Sequence, residues 1–381
     1  MLDSGLLPNR MDARPAVRDL VTSYRNAEKR LAEPQTVNGM VDLDEGRDCR
    51  LNIRGVYEDL GERVPRGYLE VFSGRRDGLA TNGSGRMQLA ESIASPENPL
   101  TARVFVNRVW SWVFGTGIVA TPDDFGHLGE RPSHPELLDY LADSFVKSGW
   151  SLKKLVRTLL TSETFQQSGQ ISERGRAVDP LNRLMHHYPL RRLDAESVQD
   201  YLLSVSTRLD PRLFGDSIDP ARTNEDSTKR LFSGPVDADG RRSIYVKMTI
   251  MEPPKFLATF NQPSPKILTG RRDVTNVPAQ ALALLNDPFV TEQAEYWARQ
   301  LIASPHSTPE ERLTSMFRRA FGRAPSAGEL TRWTKAVRDM ALAYRDIPGL
   351  ALRPDEIMES LPVWKSMAHA IFNAKEFLYV R

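Results

Sequence analysis

From Met87 onward, apolar residues recur at three- and four-residue spacing, the period of helices that bury one face. Leu152, Leu155, Val156, Leu159 and Leu160 form one such face. They follow Ser151, whose hydroxyl is suited to accept from the free backbone N–H groups of a helix start. Asn98-Pro99 predicts the opening of a helix to about Phe114, which Gly115 and Gly117 stop. Ser133 with Glu136, and Ser326 with Glu329, have capping-box spacing and predict helices to about Lys147 and Ala343. Thr308-Pro309-Glu310 predicts another start, of a helix to Phe321. Asp194 is expected to cap a helix over Leu193–Leu203, and the same periodicity continues over Val277–Leu285, Pro288–Leu301 and Pro362–Phe377. Trp110 and Phe114, four apart, read as core, and Trp112 and Trp150 are expected there too.

Alternation is scarcer. Leu51, Ile53 and Val56, then Tyr68, Leu69, Val71 and Phe72, predict two short strands around a Gly/Pro turn. Ile244, Val246, Met248 and Ile250 predict a single strand over Ser243–Met251. Gly74 to Gly85 reads as a linker, and residues 211–243, rich in Asp, Gly, Pro and Ser, as a long surface excursion. The fold class expected is therefore mainly α: a multi-helix globular domain of about nine helices with a few short strands. Three segments follow: a polar N-terminal extension at 1–48, carrying a helix within Ala13–Leu31; a short β-like segment and Gly-rich linker at 49–86; and a helical domain at 87–381.

Charge narrows the function classes. The 51 Lys and Arg nearly balance 49 Asp and Glu, leaving +2, so no long-range field favours nucleic acid. Aromatic residues do not interleave with basic ones as a base-stacking strip requires. No stretch reaches the ~20 apolar residues of a membrane span, and Met1–Arg18 shows no secretory signal. The single cysteine, Cys49, excludes an internal disulfide, and C-x-x-C-H haem attachment is absent, so no cofactor is expected in this chain.

The candidate chemistry lies in a few polar groups. Asp123 and Asp124, adjacent after Pro122, offer oxygen ligands to a cation or one general base; an Asx turn uses the same residues. His134, at a helix start, is disfavoured as a cation by the helix dipole and so is able to accept a proton. His186-His187 would splay by about 100° on a helix, which argues against a metal pair. Arg191-Arg192 and Arg271-Arg272 present guanidinium forks that match carboxylate, sulfate or phosphate, and Arg108 stands beside Asn107. Arg271 and Arg272 follow Gly270 and precede a helix start near Thr275, where backbone N–H groups add anion affinity and Asn276 offers a further polar side chain. The same arginines also serve as struts when a carboxylate such as Asp194, Glu196 or Asp273 takes the fork. No nucleophile elbow or phosphate loop accompanies them.

Several phrases are more specific than generic helix text: Asn98 to Trp110, Phe114-Gly115 to Val119, Thr121 to Gly126, Pro132 to Asp139, Gly149 to Lys153, Arg191 to Glu196, Thr269 to Asn276, Gln280 to Phe289, and Phe372 to Tyr379. In this order the chain resembles the planctomycete-type family known as domain of unknown function 1553, over about Met87 to Tyr379. Asn261 departs from that pattern, which has Asp there. The resemblance implies an uncharacterised helical domain, often downstream of another uncharacterised domain and a c-type cytochrome domain in exported relatives. Two functions are weighed. One is a structural or interaction module working with a protein partner or those upstream domains. The alternative is a hydrolase or lyase acting on an anionic saccharide, held by Arg192, Arg271 and Arg272, with Asp124 or His134 as acid/base.

Overall fold

The structure, a computed structural model, describes residues 15–28, 30, 39–42, 46–68, 83–226, 231–250, 252–305, 308–345, 347 and 354–380. Its contacts group into two units, 32–189 and 190–381 together with 1–31, each with its own core. Helices dominate both, as the periodicity predicts, and the described strands form two small antiparallel pairs.

In the 1–31 segment, α1 spans Pro15–Glu28. Val21 is fully buried, and Arg25 reaches Glu225 at 3.4 Å and lies over the Phe232 ring.

The 32–189 unit opens with β1 (Cys49–Asn52) and β2 (Leu60–Val64), which pair Cys49 with Val64 and shift register before Asn52. The predicted strand over Tyr68–Phe72, apart from Tyr68, and most of the Gly-rich linker fall outside the described residues. Helices α2 (Arg86–Ala94), α3 (Thr101–Phe114), α4 (Pro135–Lys147), α5 (Leu152–Leu160), α6 (Glu163–Gln166) and α7 (Glu173–Val178) follow. Asn98 Oδ1 accepts from the N–H groups of Leu100 and Thr101, as a helix-opening residue should. Trp110 and Phe114 are buried with their rings 4.2 Å apart, and Phe105, Phe145 and Trp150 stack alongside. Trp112 is 61% exposed, contrary to its expected place in the core, because it falls on the opposite face of α3. The capping box at Ser133 does not form. The helix starts one residue later, at Pro135, and Ser133 turns its hydroxyl to Ile118 O and His134 Nδ1.

The 190–381 unit comprises β3 (Arg191–Arg192), α8 (Ala195–Val205), α9 (Lys255–Thr259), α10 (Pro278–Asn286), α11 (Pro288–Ile302), α12 (Pro309–Phe321), α13 (Ala327–Arg345), α14 (Leu361–Phe372), α15 (Lys375–Leu378) and β4 (Tyr379–Val380). Trp297, Trp364, Phe372 and Phe377 are essentially fully buried at its centre, with the aliphatic residues of α8, α11 and α12 around them. β3 pairs with β4, Arg191 opposite Val380 and Arg192 opposite Tyr379, bringing chain end to unit start. The Ser326–Glu329 box forms in both directions: Ser326 N–H reaches Glu329 Oε2 at 2.8 Å, and Glu329 N–H reaches Ser326 Oγ. The expected single helix over Pro362–Phe377 is instead two, broken at Asn373–Ala374.

Among the described residues of Ser243–Met251 the predicted strand does not form. Ser243–Tyr245 is a 3-10 turn because Asp200 captures both Ser243 N–H (2.7 Å) and its hydroxyl (2.8 Å), and only Val246 bridges to Ile218. Among its described residues the 211–243 excursion has, before Ser243, no helix or paired strand beyond a 3-10 turn at Ala238–Gly240, yet it is not merely superficial. Arg241 is buried, donating to Arg212 O and stacking on Tyr245, and Arg208 clasps Asp237 at 2.6 Å. Gly240, at φ +73°, leaves no space for a Cβ, which would sit 2.0 Å from Arg208 O.

Candidate functional site

The sequence-predicted site residues fall into both units. In 32–189, Asp124 Oδ1 accepts from Gly126 N–H at 2.8 Å while its own carbonyl accepts from Thr121 Oγ1, the geometry of an Asx turn. Asp123 points elsewhere, 3.7 Å from Arg108. His134 occupies the residue before α4 and meets Ser133 Oγ at 2.9 Å. His186 and His187 lie in a loop rather than on a helix, so their rings do not splay; they approach Nδ1 to Nδ1 at 3.2 Å. Burial first, and then His186, hold the His187 pKa below its ordinary value. Among the described residues no group of three or more His, Cys, Asp or Glu is arranged to hold a metal ion.

In 190–381 the arginines are placed by non-local partners. Arg192 donates to Thr275 O and, at 2.7 Å, to Gln280 Oε1, with its guanidinium over Phe260. Gln280, buried, passes the bonding on to Thr259 O and Thr275 Oγ1. Arg272 donates through both terminal nitrogens to the two oxygens of Glu196. Burial, the largest influence, opposes ionisation of Glu196, but the Arg272 hydrogen bonds and charge, together with a backbone N–H and Gln262, outweigh it and leave its pKa lowered. Arg191 is half-buried in β3, and Arg271 is exposed. Asn276 is exposed and lies on the wall of a cleft.

That cleft has a volume of about 1390 Å³ and belongs wholly to the 190–381 unit. Its walls come from α8, the end of α12, α15 and the β3–β4 ribbon. Tyr201 stacks on Phe377 with ring centres 4.6 Å apart, and Leu193 and Phe321 continue the apolar floor. Burial, and then the charge of Glu376, raise the Tyr201 pKa, so its hydroxyl stays protonated and donates to Ala320 O. Ion pairs rim this floor, one arginine serving two glutamates. Arg323 forks to Glu376 at 2.7 and 2.6 Å and to Glu329 at 2.9 and 2.8 Å; Arg242 reaches Asp200 at 3.1 Å. Lys375 lines the cleft exposed, with no carboxylate partner among the described residues. The sequence reading reached Asn276 but missed Tyr201, Arg323 and Lys375. The phrase Phe372 to Tyr379 was the available signal, since a charged pair interrupts an otherwise apolar helix end there.

Two helical cores, one of them with a large cleft on an aromatic floor, define a mainly α-helical protein. The chain belongs to the family PSD1, protein of unknown function (DUF1553), whose model matches residues 85–337. No curated protein and no solved structure matches it. In the described residues no helix is long and apolar enough to cross a membrane.

Proposed function

We propose that the chain is an interaction module that seats a segment of a partner polypeptide in the cleft of the 190–381 unit. The observation that carries this reading is the cleft itself. Its volume exceeds the ~300–1,000 Å³ of small-molecule sites, and it offers an apolar floor within a polar rim, the anatomy of a protein interface. Arg323, Glu376, Arg242 and Asp200 neutralise one another, which suits partner recognition better than proton transfer. The partner class that the family context suggests is an upstream domain or a c-type cytochrome domain.

Filling the cleft tests the reading. Ser204 is exposed on its wall, so Ser204→Trp should leave the circular dichroism and melting temperature unchanged while abolishing co-purification of the partner from native cells. Retention of the same partner by the variant would contradict it. The saccharide hydrolase alternative draws no support from the 32–189 unit, where Asp124 and His134 bond to their immediate neighbours.

A further inference from the structure

A second, smaller cavity of about 290 Å³ lies in the same unit, at the low end of the ligand-pocket range. It is assembled from distant segments: α8, the 211–243 excursion, the start of α9 and the start of α11. Phe256 and Phe289, both buried and packed edge to face at 5.3 Å, form part of an otherwise proline-rich apolar wall.

Five polar side chains line it, Thr223 among them. Arg222 is neutralised internally, since it donates to Glu252 O at 3.1 Å, lies 3.4 Å from the Glu252 carboxylate and reaches Thr249 Oγ1. Gln199 is 8% exposed, and its amide makes no hydrogen bond with the described residues, leaving it open to the cavity. Lys255 touches only Thr223 Oγ1, at 3.2 Å. Asp287, the residue before α11, accepts from Phe289 N–H at 2.9 Å. Lys255 and Asp287 thus contribute opposite charges to one cavity without pairing with each other or with any other described residue. Direct contact between them would be the cheapest way to neutralise both, and its absence leaves room for something between.

We propose that this cavity binds a free apolar α-amino acid: its carboxylate to Lys255, its ammonium to Asp287, its side chain on Phe256 and Phe289, and its polar head against the Gln199 amide. A zwitterion is the ligand class whose two charges match an unpaired cation and anion at once. A plain carboxylate would leave Asp287 unmatched, and a plain amine would leave Lys255 so.

The test uses the full chain and a panel of free amino acids, each with its des-amino acid and its decarboxylated amine. Leucine, isoleucine or phenylalanine at about 10 mM should raise the melting temperature, and calorimetry should show one site per chain. The des-amino acid and the amine should each bind at least about tenfold more weakly, and so should the parent amino acid to Lys255→Met and Asp287→Asn. Lys255 is exposed, so Lys255→Met decides the matter if Asp287→Asn, at a helix start, fails to fold. Failure of every apolar amino acid to bind, equal binding of either analogue, or unchanged binding to Lys255→Met overturns the proposal.

Discussion

Arg272 holds Glu196 with two parallel hydrogen bonds across 76 positions of sequence, tying the segment before α10 to the first turn of α8. Its fork is therefore occupied by this chain's own carboxylate. The pair is partly solvated, so its coupling should be about 1 kcal/mol. A double-mutant cycle of Arg272→Ala and Glu196→Gln, read by chemical denaturation, should recover that coupling. Additive effects would mean that the contact contributes nothing.

Trp110 is 6% exposed and packs on Phe114 in the 32–189 core. Trp110→Ala should destabilise that unit by about 3–5 kcal/mol, whereas the exposed Trp112→Ala should change it by less than about 0.5. Equal effects in urea titrations would contradict the assignment of faces on α3.

Glu329 accepts from Arg323 and from Ser326, and these bonds lower its pKa from 4.5 to about 2. Because the folded value lies below the unfolded one, the contribution is present above about pH 4.5 and is lost as pH falls toward 2. The network is solvent-accessible, so the expected amount is about 1 kcal/mol. Glu329→Gln should flatten this part of the acid unfolding profile while lowering stability at pH 7; an unaltered profile would exclude the network as its source.

Asn261 sits at φ +66° and donates to Asp273 O and Thr275 Oγ1, fixing the loop that leads to α10. Asn261→Ala removes these bonds and leaves a Cβ in left-handed backbone without the polar side chain that eases it, for a loss of about 2 kcal/mol; Asn261→Gly relieves the backbone and should lose about half as much. An alanine variant as stable as the glycine one would show that the backbone carries no strain. Asn261→Asp would keep an acceptor for Thr275 but lose both donated bonds.

Local signals were legible in the chain: the Ser326–Glu329 box, the Ser151 cap and the apolar face of α5 each depend on residues a few positions apart. What escaped was non-local. Ser243–Met251 alternates as a strand does, but Asp200, 43 positions away, claims the Ser243 backbone and the pairing stops at the single bridge of Val246 with Ile218. The doubled arginines read equally well as an anion site or as struts, because the difference lies in whether Glu196 and Gln280 reach them. Apart from the charged pair Lys375–Glu376 at the edge of the cleft, neither the cleft nor the smaller cavity has a contiguous signature, since helix ends from separate parts of the sequence close both.

The most direct test of the interaction reading places a photo-reactive benzoylphenylalanine at Ser204, on the cleft wall, and at Leu128, 95% exposed in the other unit, in separate full-length chains expressed in the native cell. Irradiation should join the Ser204 position to one defined polypeptide, identified by mass spectrometry, that the Leu128 position does not capture. An empty Ser204 trap, or the same adducts from both positions, would contradict a partner seated in the cleft.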